Sequence, residues 1–418
     1  MRVVHVPRRF TATVWGGTET YLRELGAGLA AAGLEQAIYT SRAFEQATED
    51  RCGSLPLRRF PHYYPEWFLS AERRARYDNK GGNLLSPQLS RQLRRDDALN
   101  LIHLHTGGRL GAACLRVARQ RRIPCVLTLH GGHFCIPPAE QASIAAADTR
   151  PGIEWGRALN LLLSTKELLS RVDALVCVGI DEYQAAKAAL PGQRVELIPG
   201  GVDPRRYGAA DGAIWRTARG FQPSDRLIVC AARLDVQKDQ LTLVQAWTAL
   251  ACNNCHLILA GAETSPGYAE KCRTAAGHHA ERLHILGNLP SDEVPQLLAA
   301  AEICVLPSRH EPFGLACLEA WAAGKPLLAA DVGGPGWLIS QEQNGLLFPV
   351  GDTAACTNAM NRLLAHPAWA RRLGIAGQNC AHDQHSWQGR VRQHLDLYRE
   401  LCEASGQPGP ETNDSTGS

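Results

Sequence analysis

Two similar α/β domains, each a doubly wound parallel sheet, with a cleft between them, are what this sequence predicts. Three observations carry the prediction. Short apolar runs alternate with segments of helical periodicity along most of the 418 residues. The alternation stops over 204–224 (PRRYGAADGAIWRTARGFQPS), which reads as a connector, and then starts again. The stretch 303–330 reads as strand, tight loop, helix and strand, the unit whose strand ends hold ligands in such sheets.

In chain order, RVVHVP (2–7) is a first buried strand. Trp15-Gly16-Gly17-Thr18-Glu19 is a loop before a helix over 18–32, with Tyr21, Leu22, Leu25 and Leu29 at helical spacing and a stop near Gly33. Residues 36–40 are a second strand. The Arg-rich, aromatic region 42–98 gives no clear reading; its 72–82 part is either a mobile loop or the edge of an amphipathic helix. Strands follow at 101–105 (LIHLH), 125–130 (CVLTLH), 174–178 and 195–199, with helices over 111–120 and 159–170. After the connector, strands fall at 227–231, 256–260, 283–286, 303–306, 327–330 and 346–349. Helices fall at 240–250, 292–301, 353–365, 367–380 and 387–404, and Glu319 lies on a helix after the 307–314 loop. The predicted division is 1–204, 205–384, a final helix 385–404 and a disordered Gly/Pro/Ser/Thr-rich tail 405–418.

Composition narrows the class. Hydrophobic residues make up 45%, enough for large cores, so this is not a disordered chain. No apolar run reaches the ~18–20 residues of a membrane span, and MRVVHVPRRF has no signal-peptide core. Most of the 14 cysteines sit singly inside apolar runs, which predicts reduced thiols and a cytoplasmic protein. Cys252-Asn-Asn-Cys255 has no second pair and reads as chance rather than a zinc or redox site. Residues 1–122 carry 20 Lys and Arg against 11 Asp and Glu, on a chain of net charge +3. That basic half fits an anionic acceptor, peripheral contact at an acidic membrane face, or simply a solvated Arg-rich surface.

Several residue types point to chemistry. Gly16-Gly17 before a helix start suits either a phosphate loop or a plain tight turn. Arg233 and Lys238 follow a strand end, where Arg forks onto a diphosphate and Lys supplies a point charge; the bland reading is two surface charges. His130 precedes two glycines and is either a ligand contact or a structural histidine. His103, His105 and His133 lack HxxxH or HxxE spacing, so no metal site is expected. Glu311 and Glu319 suit sugar hydroxyls, or an acid/base pair as in glycosidases. The absence of GxxxxGK[ST] and GxGxxG argues against an NTPase or a dehydrogenase.

Taken together these residues resemble the retaining glycosyltransferases of family 4, with their two-Rossmann GT-B fold. The likeness rests on WGGTE (15–19), LHGG (129–132), IPGGVDP (198–204), AARLDVQKD (231–239), LAGAE (259–263), the long run 287–334, NGLLFPVGD (344–352) and HSWQGRVRQHLDLYREL (385–401). The resemblance implies an NDP-sugar donor, UDP- or GDP-linked, and a glycan, lipid-linked or small-molecule hydroxyl acceptor, as in polysaccharide biosynthesis. It implies no metal or other cofactor and no nucleic-acid partner. It assigns Arg233 and Lys238 to the donor diphosphate, Glu319 to the ribose, and Glu311 and His130 to the donor sugar. The amides of Phe313, Gly314 and Leu315 meet sugar or phosphate oxygens, Gly16 and Gly17 close on the diphosphate, and the last helix crosses back onto the first domain. Two positions depart from the family pattern: Gly200 stands for Asn, and Trp337 for the glutamate of GGxxE. Alternatives are a catalytically silent nucleotide-sugar-binding protein and a GT-B phosphorylase or epimerase.

Overall fold

A computed structural model describes residues 1–11, 16–79, 82–135 and 155–410. The chain forms two compact units, Met1–Pro199 with Arg390–Ser418, and Gly200–Gly389.

The first unit is built on strands β1 (Arg2–Val6), β2 (Glu35–Ser41), β3 (Glu49–Cys52), β4 (Leu55–Phe60), β5 (Leu99–Leu104), β6 (Cys125–Leu129), β7 (Ala174–Cys177) and β8 (Val195–Leu197). They form one sheet in the order β3-β4-β2-β1-β5-β6-β7-β8. Every neighbouring pair is parallel except the β3–β4 hairpin. β1, β6 and β7 are buried along most of their length on both faces, because helices cover a parallel sheet on both sides. The second unit has β9 (Arg226–Ala231), β10 (Cys255–Ala260), β11 (Leu283–Gly287), β12 (Ile303–Leu306), β13 (Leu327–Ala330) and β14 (Leu346–Phe348), all parallel, in the order β11-β10-β9-β12-β13-β14.

In each sheet the strand order reverses once, between β1 and β5 and between β9 and β12. Beyond the carboxyl ends of such strands the connecting loops part and leave room for a ligand. The loops there carry Gly16-Gly17 in the first unit, and Arg233, Lys238 and Glu311 in the second.

Several expectations need correction. The unread region 42–98 holds the β3–β4 hairpin and helices Ala71–Asn79 and Pro87–Arg95. The hairpin turns at Gly53 (φ +59°), and Ser86 caps the second helix through its hydroxyl. The 72–79 part takes the helical of its two readings; Lys80 and Gly81 lie outside the described residues. The connector 204–224 contains two short helices, Pro204–Gly208 and Gly212–Ala218, each capped by an aspartate, Asp203 and Asp211. Their brevity gives too little periodicity to read. The helix expected over 159–170 is broken at Ser164, which takes φ +50°, between Gly156–Leu162 and Leu168–Arg171. Gly333–Leu338 is a helix that its glycine-rich sequence hides.

Cys252 and Cys255 are joined as a disulfide rather than left as thiols, the turn between them placing their Cα atoms 5.5 Å apart. The other 12 cysteines are free. The predicted disorder from 405 starts too early. Gly406 (φ +69°) closes the last helix, with the Gln407 amide donating to the Cys402 carbonyl, and Pro410 is buried. Residues 411–418 lie outside the described residues. No helix among the described residues is long and apolar enough to cross a membrane.

Candidate functional site

In the second unit the site is assembled from two loops at the β9/β12 reversal. After β9 the chain turns at Asp235, whose carbonyl accepts from the amides of Lys238 (2.9 Å) and Asp239 (3.2 Å), while its carboxylate accepts from the Gln237 amide. Asp239 sits in the left-handed region (φ +50°), tolerated by its short polar side chain. Its buried carboxylate, pushed up in pKa by desolvation, accepts from the Thr242 hydroxyl and pairs with Arg309 at 2.9 Å. The Gln240 amide donates to the Arg233 carbonyl at 2.8 Å. The Arg233 guanidinium reaches Thr264 Oγ1 (3.4 Å), and the Thr264 hydroxyl donates to Asp235 (2.8 Å). Gly261 is obligatory beneath this loop, since a Cβ there would lie 2.1 Å from the Ala232 carbonyl oxygen.

The loop after β12 is tied to the first by the Arg309 amide donating to the Gln237 carbonyl at 2.8 Å. This brings Lys238 and Glu311 together as an ion pair, the two side chains 16% and 12% exposed. The loop then enters the helix Leu315–Ala322 through Gly314 in the left-handed region (φ +91°). The amides of Phe313, Gly314 and Leu315 have no hydrogen-bond partner among the described residues. Together with the helix dipole they form a donor set suited to anionic oxygen. Glu319 lies further along the same helix, half-buried. Gly334 locks the loop from the side: its amide donates to the Glu311 carbonyl (2.8 Å), and a Cβ there would sit 1.9 Å from the Phe313 carbonyl oxygen. Trp337 is 42% exposed and stands beside the Phe313 and His385 rings. At Gly200 a side chain would meet Leu315 Cδ2 at 2.5 Å.

Thus Arg233, Lys238, Glu311, Phe313, Gly314, Leu315 and Glu319 lie on one sheet end of the second unit. Gly16, Gly17 and His130 belong to the first unit. Gly16 caps the helix Gly17–Ala31 with extended backbone and no side-chain cap; Trp15 lies outside the described residues. His130 follows β6 with its ring edge-on to Tyr21, centroids 5.2 Å apart. Its loop is held by a residue the motifs did not reveal. Glu182, on the helix Ile180–Ala189 and almost fully buried, accepts from the amides of Gly131 (2.7 Å) and His133 (2.9 Å). Only its place in the first turn of a helix, next to a strand, hinted at such a role.

The histidines also group differently from expectation. His133 stands apart, while His5, His103 and His105 could present ring nitrogens within 4.8 Å of one another. Each ring is already hydrogen-bonded. His5 meets Gln36 and His105, His103 meets Tyr398 and Thr128, and His105 meets His5 and His130.

Burial drives these rings neutral: His5, His130 and His394 fall to about 4, and His103 and His105 fall well below the ordinary value. The unfolded chain takes up protons below about pH 6.5, where the folded chain does not. Stability is therefore full above that pH and falls on acidification toward about pH 4. Each such histidine steepens the loss by up to about 1.4 kcal/mol per pH unit. We expect the melting temperature to fall steadily from pH 7 to pH 5. A flat profile across that window would show that the cluster is not held neutral.

Residues 15–206 match the family model described as Glycosyltransferase Family 4, and residues 225–366 the one described as Glycosyl transferases group 1. The alpha-maltose-1-phosphate synthase of Mycobacterium tuberculosis is 27% identical over 429 residues, covering 96% of this chain and 100% of the relative. Among solved structures, the sucrose-phosphate synthase of Thermosynechococcus elongatus superposes with a TM-score of 0.75 at 23% identity, covering 97% of this chain and 100% of that one. HepE of Anabaena, in complex with UDP-glucose, gives 0.72 at 19% identity, covering 95% and 100%. At these identities the structural likenesses speak for fold.

Proposed function

This chain is a glycosyltransferase of family 4, with the paired parallel-sheet α/β domains of the GT-B fold, and we propose that it moves a sugar from a UDP- or GDP-linked donor to a hydroxyl acceptor with retention of anomeric configuration. The observation that carries the reading is the pairing of Lys238 with Glu311, beside the unpartnered amides of 313–315, at the β9/β12 reversal. In this reading Arg233, Lys238 and those amides take up the charge of the leaving diphosphate. Preorganised donors of this kind stabilise charge that grows in the transition state. Glu319 holds the ribose hydroxyls, since a carboxylate accepts two hydrogen bonds from a vicinal diol. Glu311, released from Lys238 by the incoming phosphate, and His130 meet the sugar. Gly16 and Gly17, with the helix start behind them, serve the diphosphate from the first unit. The cationic clamp supplies what a metal would, so transfer needs no cofactor. The acceptor is a glycan, a lipid-linked intermediate or a small metabolite, reached in the cytoplasm or at an anionic membrane face.

A thermal-shift panel of UDP-, GDP- and ADP-sugars tests the donor. A ligand at a hundred times its Kd stabilises the folded state by about 2.7 kcal/mol, so one nucleotide series should raise the melting temperature clearly. Release of free nucleoside diphosphate with an acceptor, in the presence of chelator, supports the reading. Binding without turnover on any acceptor supports the silent binder, and an epimerised donor supports the epimerase.

A further inference from the structure

The buried histidines of the first unit are more than packing. We propose that Gln36, His5 and His105 are positioning residues: a hydrogen-bond relay that fixes the tautomer of His130, leaving its Nδ1 lone pair to accept a hydrogen bond from a substrate hydroxyl. The inference rests on the reading above only in its last step, that His130 meets the sugar.

The relay can be followed atom by atom. It starts at a carbonyl, which cannot donate. Gln36 Nε2 donates to the Gly26 carbonyl at 3.0 Å, so the amide oxygen of Gln36 is the atom facing His5. His5 Nε2 lies 3.1 Å from that oxygen and therefore carries its proton. A neutral imidazole has one N–H, so His5 Nδ1 is an acceptor. It faces His105 Nε2 at 3.2 Å, which must then be the donor. His105 Nδ1 is left as an acceptor and faces His130 Nε2 at 3.1 Å. His130 thus donates inward through Nε2. Its Nδ1 has no partner among the described residues, and His130 is partly buried where His5 and His105 are buried.

The sheet makes this alignment possible. Gln36 lies on β2, His5 on β1, His105 just after β5 and His130 just after β6, and the sheet order is β2-β1-β5-β6. Val3 pairs with Gln36, His5 with His103, and His103 with Val126. Side chains two residues apart share a face, so all four relay residues fall on one face, in strand order, at the reversal point. The remaining rings are committed elsewhere. His103 bridges Tyr398 and Thr128, and His394 lies between the Tyr21 hydroxyl and the Arg390 carbonyl. Neutral rings are what burial enforces here, and an added proton would set two N–H groups against each other along the line.

The test is nitrogen NMR on the full chain carrying isotope-labelled histidine, with His130 assigned by loss of its signals in His130→Asn. The expected result is a protonated Nε2 and a bare Nδ1 at His130. In Gln36→Leu, which removes the anchoring acceptor at a residue remote from substrate, the Nδ1–H form should appear and kcat/KM should fall about tenfold, the weight of one hydrogen bond. Gln36→Glu keeps an acceptor for the His5 proton, so it should restore both the tautomer and the rate. Melting curves of both variants separate a relay effect from unfolding. A wild-type His130 protonated at Nδ1, or a Gln36→Leu protein that folds with an unchanged tautomer, would overturn the relay. A tautomer that shifts while kcat/KM does not would keep the relay but remove His130 from the sugar. The spectra need no donor, so failure of the functional reading is seen separately.

Discussion

Replacing Lys238 with alanine should lower kcat/KM for the preferred nucleotide sugar by about a hundred- to a thousandfold, the usual loss when one preorganised donor to developing charge is removed. The effect is large because the side chain has two partners in sequence. Without donor it neutralises Glu311; in the proposed reading it turns to the diphosphate when donor binds. Alanine leaves the carboxylate, 12% exposed, without its counter-charge, so a modest fall in melting temperature should accompany the loss of rate. Lys238→Arg should recover only part of the rate, because a planar fork replaces a compact point charge on a tight turn. The readouts are steady-state kinetics and a melting curve. Wild-type turnover in Lys238→Ala would overturn the assignment of the diphosphate clamp, whatever the melting curve shows.

The second large effect is on stability. Trp321 lies two residues beyond Glu319 on the same helix, is fully buried, and donates from its indole N–H to the Asn344 carbonyl at 2.9 Å. The helix behind it has Gly377 at the point of contact, where a Cβ would lie 2.2 Å from the indole ring. Trp321→Ala empties that space and orphans a carbonyl. It should cost about 3–5 kcal/mol, the range for large-to-small changes at buried aromatics, and at about 2–4 °C per kcal/mol for a unit of this size the melting temperature should drop by roughly ten degrees. Bound nucleotide should recover part of the loss by mass action. Measured by calorimetry, a drop of only a degree or two would mean that the helix carrying Glu319 is held by something other than this tryptophan.

Lys238 stands after an apolar strand, and Glu311 and Glu319 stand in a strand–loop–helix pattern, which singles them out in the sequence. That they lie on one sheet end follows from the alternation itself, since a parallel sheet sends every such loop to the same side. Their direct pairing did not follow. Lys238 and Glu311 are 73 residues apart, and they meet only because β12 lies next to β9, with the Arg309 amide bonded to the Gln237 carbonyl. The glycine-rich helix Gly333–Leu338 is hidden in the sequence because helical propensity there is poor and tertiary contacts override it. Spacing alone does not say whether a turn brings two sulfurs together, so the Cys252–Cys255 disulfide is not legible in the sequence.

Two parallel α/β units, the family they belong to and the residue types at each strand end are all legible in the sequence. Those are local properties: short apolar runs, helical repeats, glycines before helices, a charged residue after an apolar run. Which of these residues touch is set by the three-dimensional fold. It joined Lys238 to Glu311, tied the His130 loop to Glu182, and lined up Gln36, His5, His105 and His130 across four strands. Hydrogen bonds act over about 3 Å, and strand order, which no local pattern encodes, sets which distant residues come that close.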